Sequence, residues 1–201
     1  MLYDISMPVD ARTAPWPGDE PYSCGWTLRK AAGASVNVGW AKSSAHVGTH
    51  VDAPYHFDDA GARVGSLPLD AFVGRCEVVD ARGAAALDAR LLRGVQAPRV
   101  LFRTRARNDP ARFVGAFPLL TEDALAHLAS MGARLVGIDA PSYDAADSKD
   151  LPIHHALAAR GIVNVENLVL DDVERGAYEL LAAPVRWIDM DAAPLRALLR
   201  S

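Results

Sequence analysis

The sequence predicts a mixed α/β domain spanning residues 1–201, on three observations. Short β-type runs recur along the chain, the helical patterns are few and late, and no repeat or low-complexity linker divides it. Half the residues are hydrophobic and 23% are charged, which is enough for one sizeable core and unlike a disordered chain.

In chain order, the β-type runs are Ser35–Trp40, Cys76–Asp80, Arg99–Arg103, Arg134–Asp139 and Val185–Asp189. Each clusters β-branched, aromatic or leucine residues, mostly with Gly, Pro or Asp nearby. Thr121–Met131 reads as a helix. Thr121 suits an N-cap, Glu122 and Asp123 suit the first turn, and Gly132 suits the stop. Leu125, Leu128 and Met131 then fall three apart on one face. A second, short helix is expected through His155–Arg160, stopping at Gly161.

Composition excludes several functions. Lys+Arg total 21 against 25 Asp+Glu, a formal charge of −4, so no basic excess exists to neutralise a nucleic-acid backbone. No run approaches the ~18 to 20 apolar residues of a membrane span. Met1–Ser6 has neither a basic leader nor an apolar run, so a soluble cytoplasmic protein is expected. Cys24 and Cys76 cannot build a disulfide framework or a four-cysteine zinc site.

The informative segment is His46–His56, which holds three of the six histidines together with Asp52. Positions 46, 50, 52 and 56 share one parity, so an extended segment projects all four to one side. A helix would also pair 46 with 50, but the valines, Gly48 and Thr49 disfavour one and Pro54 would break it. A straight strand, at ~3.3 Å per residue, would hold His46 and His50 about 13 Å apart, too far for one ion. The segment must therefore bend, and Gly48 is the residue able to take the necessary angles. Imidazoles with a carboxylate make a zinc-type ligand set, and the two oxygens of Asp52 allow it to bridge two ions. No Gly-x-Ser-x-Gly elbow is present, which leaves a serine nucleophile without a turn to sit on. Asp139, at the end of a predicted strand, is a candidate to orient a ligating imidazole.

The pattern His46-x-Gly48-Thr49-His50-x-Asp52-x-Pro54-x-His56 resembles the signature of the metal-dependent cyclase family, and within it the bacterial kynurenine formamidases (arylformamidases). Trp16-Pro17-Gly18-Asp19, Asp139-Ala140-Pro141-Ser142, Asp147-Ser148-Lys149 and His154-His155 through Glu166 extend the resemblance over nearly the whole chain. It implies a three-layer β/β/α, swivelling-domain-like fold with a mixed sheet. It also implies two zinc ions per subunit, one held by His46, His50 and Asp52 and the second by Asp52, His154 and Glu166. Manganese is the other metal to consider. His56 would be the acid/base, and Trp16 would line the substrate pocket. From the residues alone His154 and His155 stay open as ligands; the family's spacing from Glu166 selects His154. His127 reads as an exposed helix residue.

The activity implied is hydrolysis of N-formyl-L-kynurenine to L-kynurenine and formate, a step of tryptophan degradation, by a homodimer acting on a small molecule. One rival is an isatin-hydrolase-like, manganese-dependent amide or lactam hydrolase of the same family. The other is a non-catalytic metal-binding module, which would need the ligands but not His56.

Overall fold

Parallel strands must be covered on both faces, so they read as continuous apolar runs; three such runs form the centre of this fold. The computed structural model describes residues 1–201. In chain order its elements are β1 (Leu2–Asp4), β2 (Ser23–Leu28), β3 (Val38–Lys42), β4 (His50–Asp52), β5 (Val73–Asp80), β6 (Arg99–Arg103), α1 (Glu122–Ser130), β7 (Leu135–Ile138), α2 (Pro152–Ala159), β8 (Val163–Glu166), β9 (Gly176–Leu181), β10 (Ala192–Pro194) and β11 (Leu198–Arg200). Every residue of β6, β7 and β8 is buried.

Nine strands form one mixed sheet in the order β1-β11-β9-β5-β6-β7-β8-β4-β10. The stretch from β5 to β8 is parallel, and its β6–β7 and β7–β8 crossovers carry α1 and α2, as parallel neighbours require. The flanking strands pair antiparallel on both sides.

Alternation along the strands sorts the core. Val100, Phe102, Val136 and Ile138 meet Leu125, Leu128 and Leu157 of the two helices. Leu101, Leu135, Val163 and Val165 point the other way, where they meet Ile5, Leu180 and Leu199 from one arm of the sheet and Val51 and Ala193 from the other. The sheet is thus curled around its own apolar face, and the helices cover its back: two β layers and one α layer. Gly137 allows the tightest approach in that interior, because a Cβ there would lie 2.5 Å from Leu101 and 2.7 Å from Leu168.

The antiparallel pair β2–β3 stands apart from the sheet. Trp26, Leu28, Val38 and Trp40 on it are 41–54% exposed. No helix is long and apolar enough to cross a membrane. Both cysteines are free, Cys24 exposed and Cys76 buried.

The runs at 76–80, 99–103 and 134–139 lie in β5, β6 and β7, and the 121–131 helix is α1. Three expectations need correction. Val185–Asp189 is not a strand; Trp187 and Ile188 are exposed, and the ladder beside β4 is taken by β10 instead. The 35–40 run is displaced to β3, Val38–Lys42, which forms an exposed hairpin with β2. The second helix starts at Pro152 rather than His155, with proline in the first turn where its missing N–H costs nothing.

Candidate active site

Strand parity places the donors. His50 lies opposite Glu166 in the β4–β8 register, with Val51 opposite Val165. The two valines fill the curled interior, so His50, Asp52, Asn164 and Glu166 face the helical side. His46 reaches the same spot because the chain turns at Gly48, whose φ of +76° lies in the left-handed region. After β4 a 3-10 turn over Pro54–His56 brings His56 back beside His46, with ring centroids 4.3 Å apart.

The fourth imidazole comes from α2. The Asp144 carboxylate accepts the backbone N–H groups of Ile153 and His154, each at 3.0 Å, and so caps the helix. The same carboxylate accepts from His154 Nδ1 at 2.7 Å, which turns Nε2 toward the sheet. Two non-glycine residues with positive φ flank these donors, Leu151 before α2 and Asn167 after Glu166. Strained backbone of this kind persists where the surroundings over-determine it.

The donor atoms are spaced for an ion. His46 Nδ1 and His50 Nε2 lie 3.0 and 3.3 Å from Asp52 Oδ1. His154 Nε2 lies 3.4 Å from Asp52 Oδ2 and 3.2 Å from Glu166 Oε1. Ligands about 2.0–2.1 Å from a tetrahedral ion are roughly 3.3 Å from one another. Two triads, His46–Asp52–His56 and His50–Asp52–Glu166, each gather their donors within 4.8 Å. Asp52 is common to both.

Hydrogen bonding gives an independent test. His50 Nδ1 donates to the Gly48 carbonyl at 2.9 Å, leaving a lone pair on Nε2. That buried Nε2 has no hydrogen-bond partner, and neither has the buried Asp52 Oδ1, which is close to His46 but out of line with it. Buried polar atoms are rarely orphaned, and here both point into a cluster of hard and borderline ligands. These residues fit a divalent metal.

The electrostatics agree. Burial alone would lower the pKa of His46, but the carboxylates of Asp191 and Asp52 outweigh it and push it up to about 10. His154 behaves likewise: Asp144, Asp52 and Glu166 overcome burial and raise it to about 12. Burial would raise Asp52, yet the surrounding His50, His154 and His46 hold it well below the usual carboxylate range. Hydrogen bonds from His46 and His56 hold Asp191 low as well. The buried acids therefore demand positive charge, from protons or from a metal.

All seven residues singled out in the sequence, His46, His50, Asp52, His56, His154, Glu166 and Trp16, line one cavity of about 460 Å³. Trp16 meets Phe113 edge-on, with ring centroids 5.1 Å apart. His155 instead packs on Phe57, and His127 is half-buried in α1 rather than exposed. Asp139 does not orient an imidazole. Its carboxylate is taken by the backbone and hydroxyl of Thr104 and the backbone of Arg105. Asp144 has that role, and Asp191 supports His46 and His56 at 2.9 and 3.4 Å. Neither stood out in the sequence; for Asp144 the only local signal is a carboxylate shortly before a proline-initiated helix.

A curled mixed sheet with a buried His/Asp/Glu cluster on its helical side defines a metal-ligating enzyme centre. The Cyclase family model matches residues 3–145, and the chain belongs to that family. Two relatives are named kynurenine formamidase. One, from Paracidovorax citrulli (strain AAC00-1), is 44% identical over 209 residues, covering 100% of this chain and 97% of its own. The other, from Salinibacter ruber (strain DSM 13855 / M31), is 47% identical over 206 residues, covering 99% and 97%. A solved structure described as a potential metal-dependent hydrolase with cyclase activity superposes with a TM-score of 0.84 at 29% identity, over 99% of this chain and 96% of its own. Isatin hydrolase A from Labrenzia aggregata superposes with a TM-score of 0.80 over 99% and 93%; at 22% identity this shows the fold alone.

Two predictions follow from the geometry and charge. Asp144→Asn should weaken divalent-metal affinity about 10- to 100-fold, measured by competition with a chromophoric chelator; wild-type affinity would show that the Asp144 contact does not matter. Because His46 and His154 hold protons above their ordinary pKa, a metal must displace them, so its apparent affinity should rise with pH between about 6 and 8. Calorimetry in buffers of different ionisation enthalpy should detect proton release on binding; pH-independent affinity would contradict the protonated pairing.

Proposed function

We propose that this chain is a kynurenine formamidase, an amidohydrolase that converts N-formyl-L-kynurenine to L-kynurenine and formate in tryptophan degradation. One observation carries the reading: the whole donor cluster, His56 and Trp16 line a single cavity in a chain 44–47% identical, end to end, to proteins of that name.

His46, His50 and Asp52 would hold one zinc, and Asp52, His154 and Glu166 a second; manganese suits the same oxygen and nitrogen donors. When bound, the ions supply Lewis-acid polarisation of the formyl carbonyl and lower the pKa of water. His56 moves the proton. Its Nδ1 donates to Asp191 Oδ2 at 3.4 Å, which leaves Nε2 as the basic atom. Nε2 takes a proton from the water attacking the formyl carbon and returns it to the aniline nitrogen as the C–N bond breaks. That nitrogen leaves poorly as an anion, so the returned proton matters most in the second half of the reaction. Trp16, braced by Phe113, offers a face to the aromatic ring.

The compact His46–Asp52–His56 triad favours a second arrangement, in which His56 is a ligand. His56→Ala separates the two. As acid/base, the variant keeps its metal and loses about 10²- to 10⁴-fold in kcat for formate release. Loss of metal together with activity would make His56 a ligand. Wild-type protein loaded with zinc or manganese that releases no formate from N-formyl-L-kynurenine would contradict the formamidase reading itself.

We also propose a cytoplasmic homodimer. The exposed apolar hairpin β2–β3 supports the pairing, since an uncovered face with two tryptophans is unusual for a monomer. Sedimentation equilibrium should find twice the 21.5 kDa chain mass, reverting to monomer in Trp26→Glu/Trp40→Glu; a monomeric wild type would contradict it. Cell fractionation that recovers the protein outside the cytoplasm would contradict the location.

A further inference from the structure

The cavity has two chemically different regions. The buried His/Asp/Glu cluster lines part of it, and two less buried arginines line it as well, Arg105 and Arg112, just after β6 and in the loop that brings Phe113 to Trp16. Arg105 is half-buried and Arg112 is exposed. The guanidinium of Arg105 makes no hydrogen bond and no ion pair with any side chain or carbonyl of the protein. A half-buried cation without a partner is unusual, because burial costs a charge unless something pairs with it. Burial does lower the Arg105 pKa from its ordinary value, and Asp139 and Asp171 oppose this only through space.

The backbone beneath Arg105 is fixed. Asp139 accepts the Thr104 hydroxyl at 2.6 Å, the Thr104 N–H at 2.9 Å and the Arg105 N–H at 3.2 Å. The side chain therefore leaves a pinned strand end and lines the cavity with its donors unspent. Arginine offers a planar fork that matches a carboxylate with two parallel hydrogen bonds, and partial burial strengthens such a pair. The proposed substrate has one carboxylate, on the amino acid end, several bonds from the formamide.

We infer that Arg105 binds the α-carboxylate of the substrate and so selects formylated aryl amines that carry an amino acid side chain. The inference rests on the formamidase reading. Asp139 is then a positioning residue for Arg105, which gives a purpose to a buried carboxylate that touches no metal-ligating side chain.

The test compares metal-loaded wild type, Arg105→Met, Arg105→Lys and Arg112→Met on two substrates: N-formyl-L-kynurenine and 2-formamidoacetophenone, which keeps the formamide and ketone but lacks the amino acid. Arg105→Met should lower kcat/KM for N-formyl-L-kynurenine about 10- to 100-fold, mainly through KM, and leave the analogue unchanged. Arg105→Lys should recover part of the loss, and Arg112→Met should change neither substrate selectively. Equal losses on both substrates, no loss on either, or a selective loss in Arg112→Met alone would overturn the inference while leaving the formamidase reading intact. A wild-type enzyme inactive on both substrates would contradict the formamidase reading, and the inference with it.

Discussion

The structure depends on burying one carboxylate, Asp52, among imidazoles. Its two oxygens face His46 and His50 on one side and His154 on the other, at 3.0 to 3.4 Å, with Asn164 donating to Oδ2 at 2.9 Å. A buried charge that loses its partners costs about 3–5 kcal/mol, so each element that supplies a partner is held to its place. β4 cannot slip by one residue against β8, because that would send His50 and Asp52 into the apolar interior and Val51 out of it.

Around that carboxylate the fold uses single groups for two purposes. Asp144 caps α2 and aims His154, so helix position and imidazole orientation are fixed by the same carboxylate. Asp191, just before β10, binds both His46 and His56, while its own carbonyl accepts the Ala53 N–H. His46 and His56 thereby share a support. The curled sheet gives this arrangement a rigid base, and loops carrying Trp16 and Phe113 close one side of the cavity where a ring can lie.

Much of this was legible in the sequence, for identifiable reasons. The parallel strands β6 and β7 announce themselves because burial on both faces leaves continuous apolar runs. His46, His50, Asp52 and His56 announce themselves because all four come from one short segment whose parity and bend depend only on local residues. Glu166 and His154 needed the resemblance, since their partners lie more than a hundred residues away in β4. Asp144 and Asp191 were invisible: each looks like a surface acid until α2 or β10 is folded against the site. Two of the shortest strands failed for a related reason. β10 and β11 are three residues each, and pairing with β4 and β9 defines them more than composition does, whereas the better-looking Val185–Asp189 run lies exposed over Gly65.

In the proposed function Asp52 would join two metal positions into one centre, since it is common to both donor triads. Native mass spectrometry of zinc-loaded protein, wild type against Asp52→Asn and Glu166→Gln, tests it most directly, with circular dichroism to show that each variant is folded. Two ions per chain are expected in the wild type, with loss of one in Glu166→Gln and loss of both together in Asp52→Asn. An Asp52→Asn protein that keeps both ions, or keeps one at wild-type affinity, would contradict it.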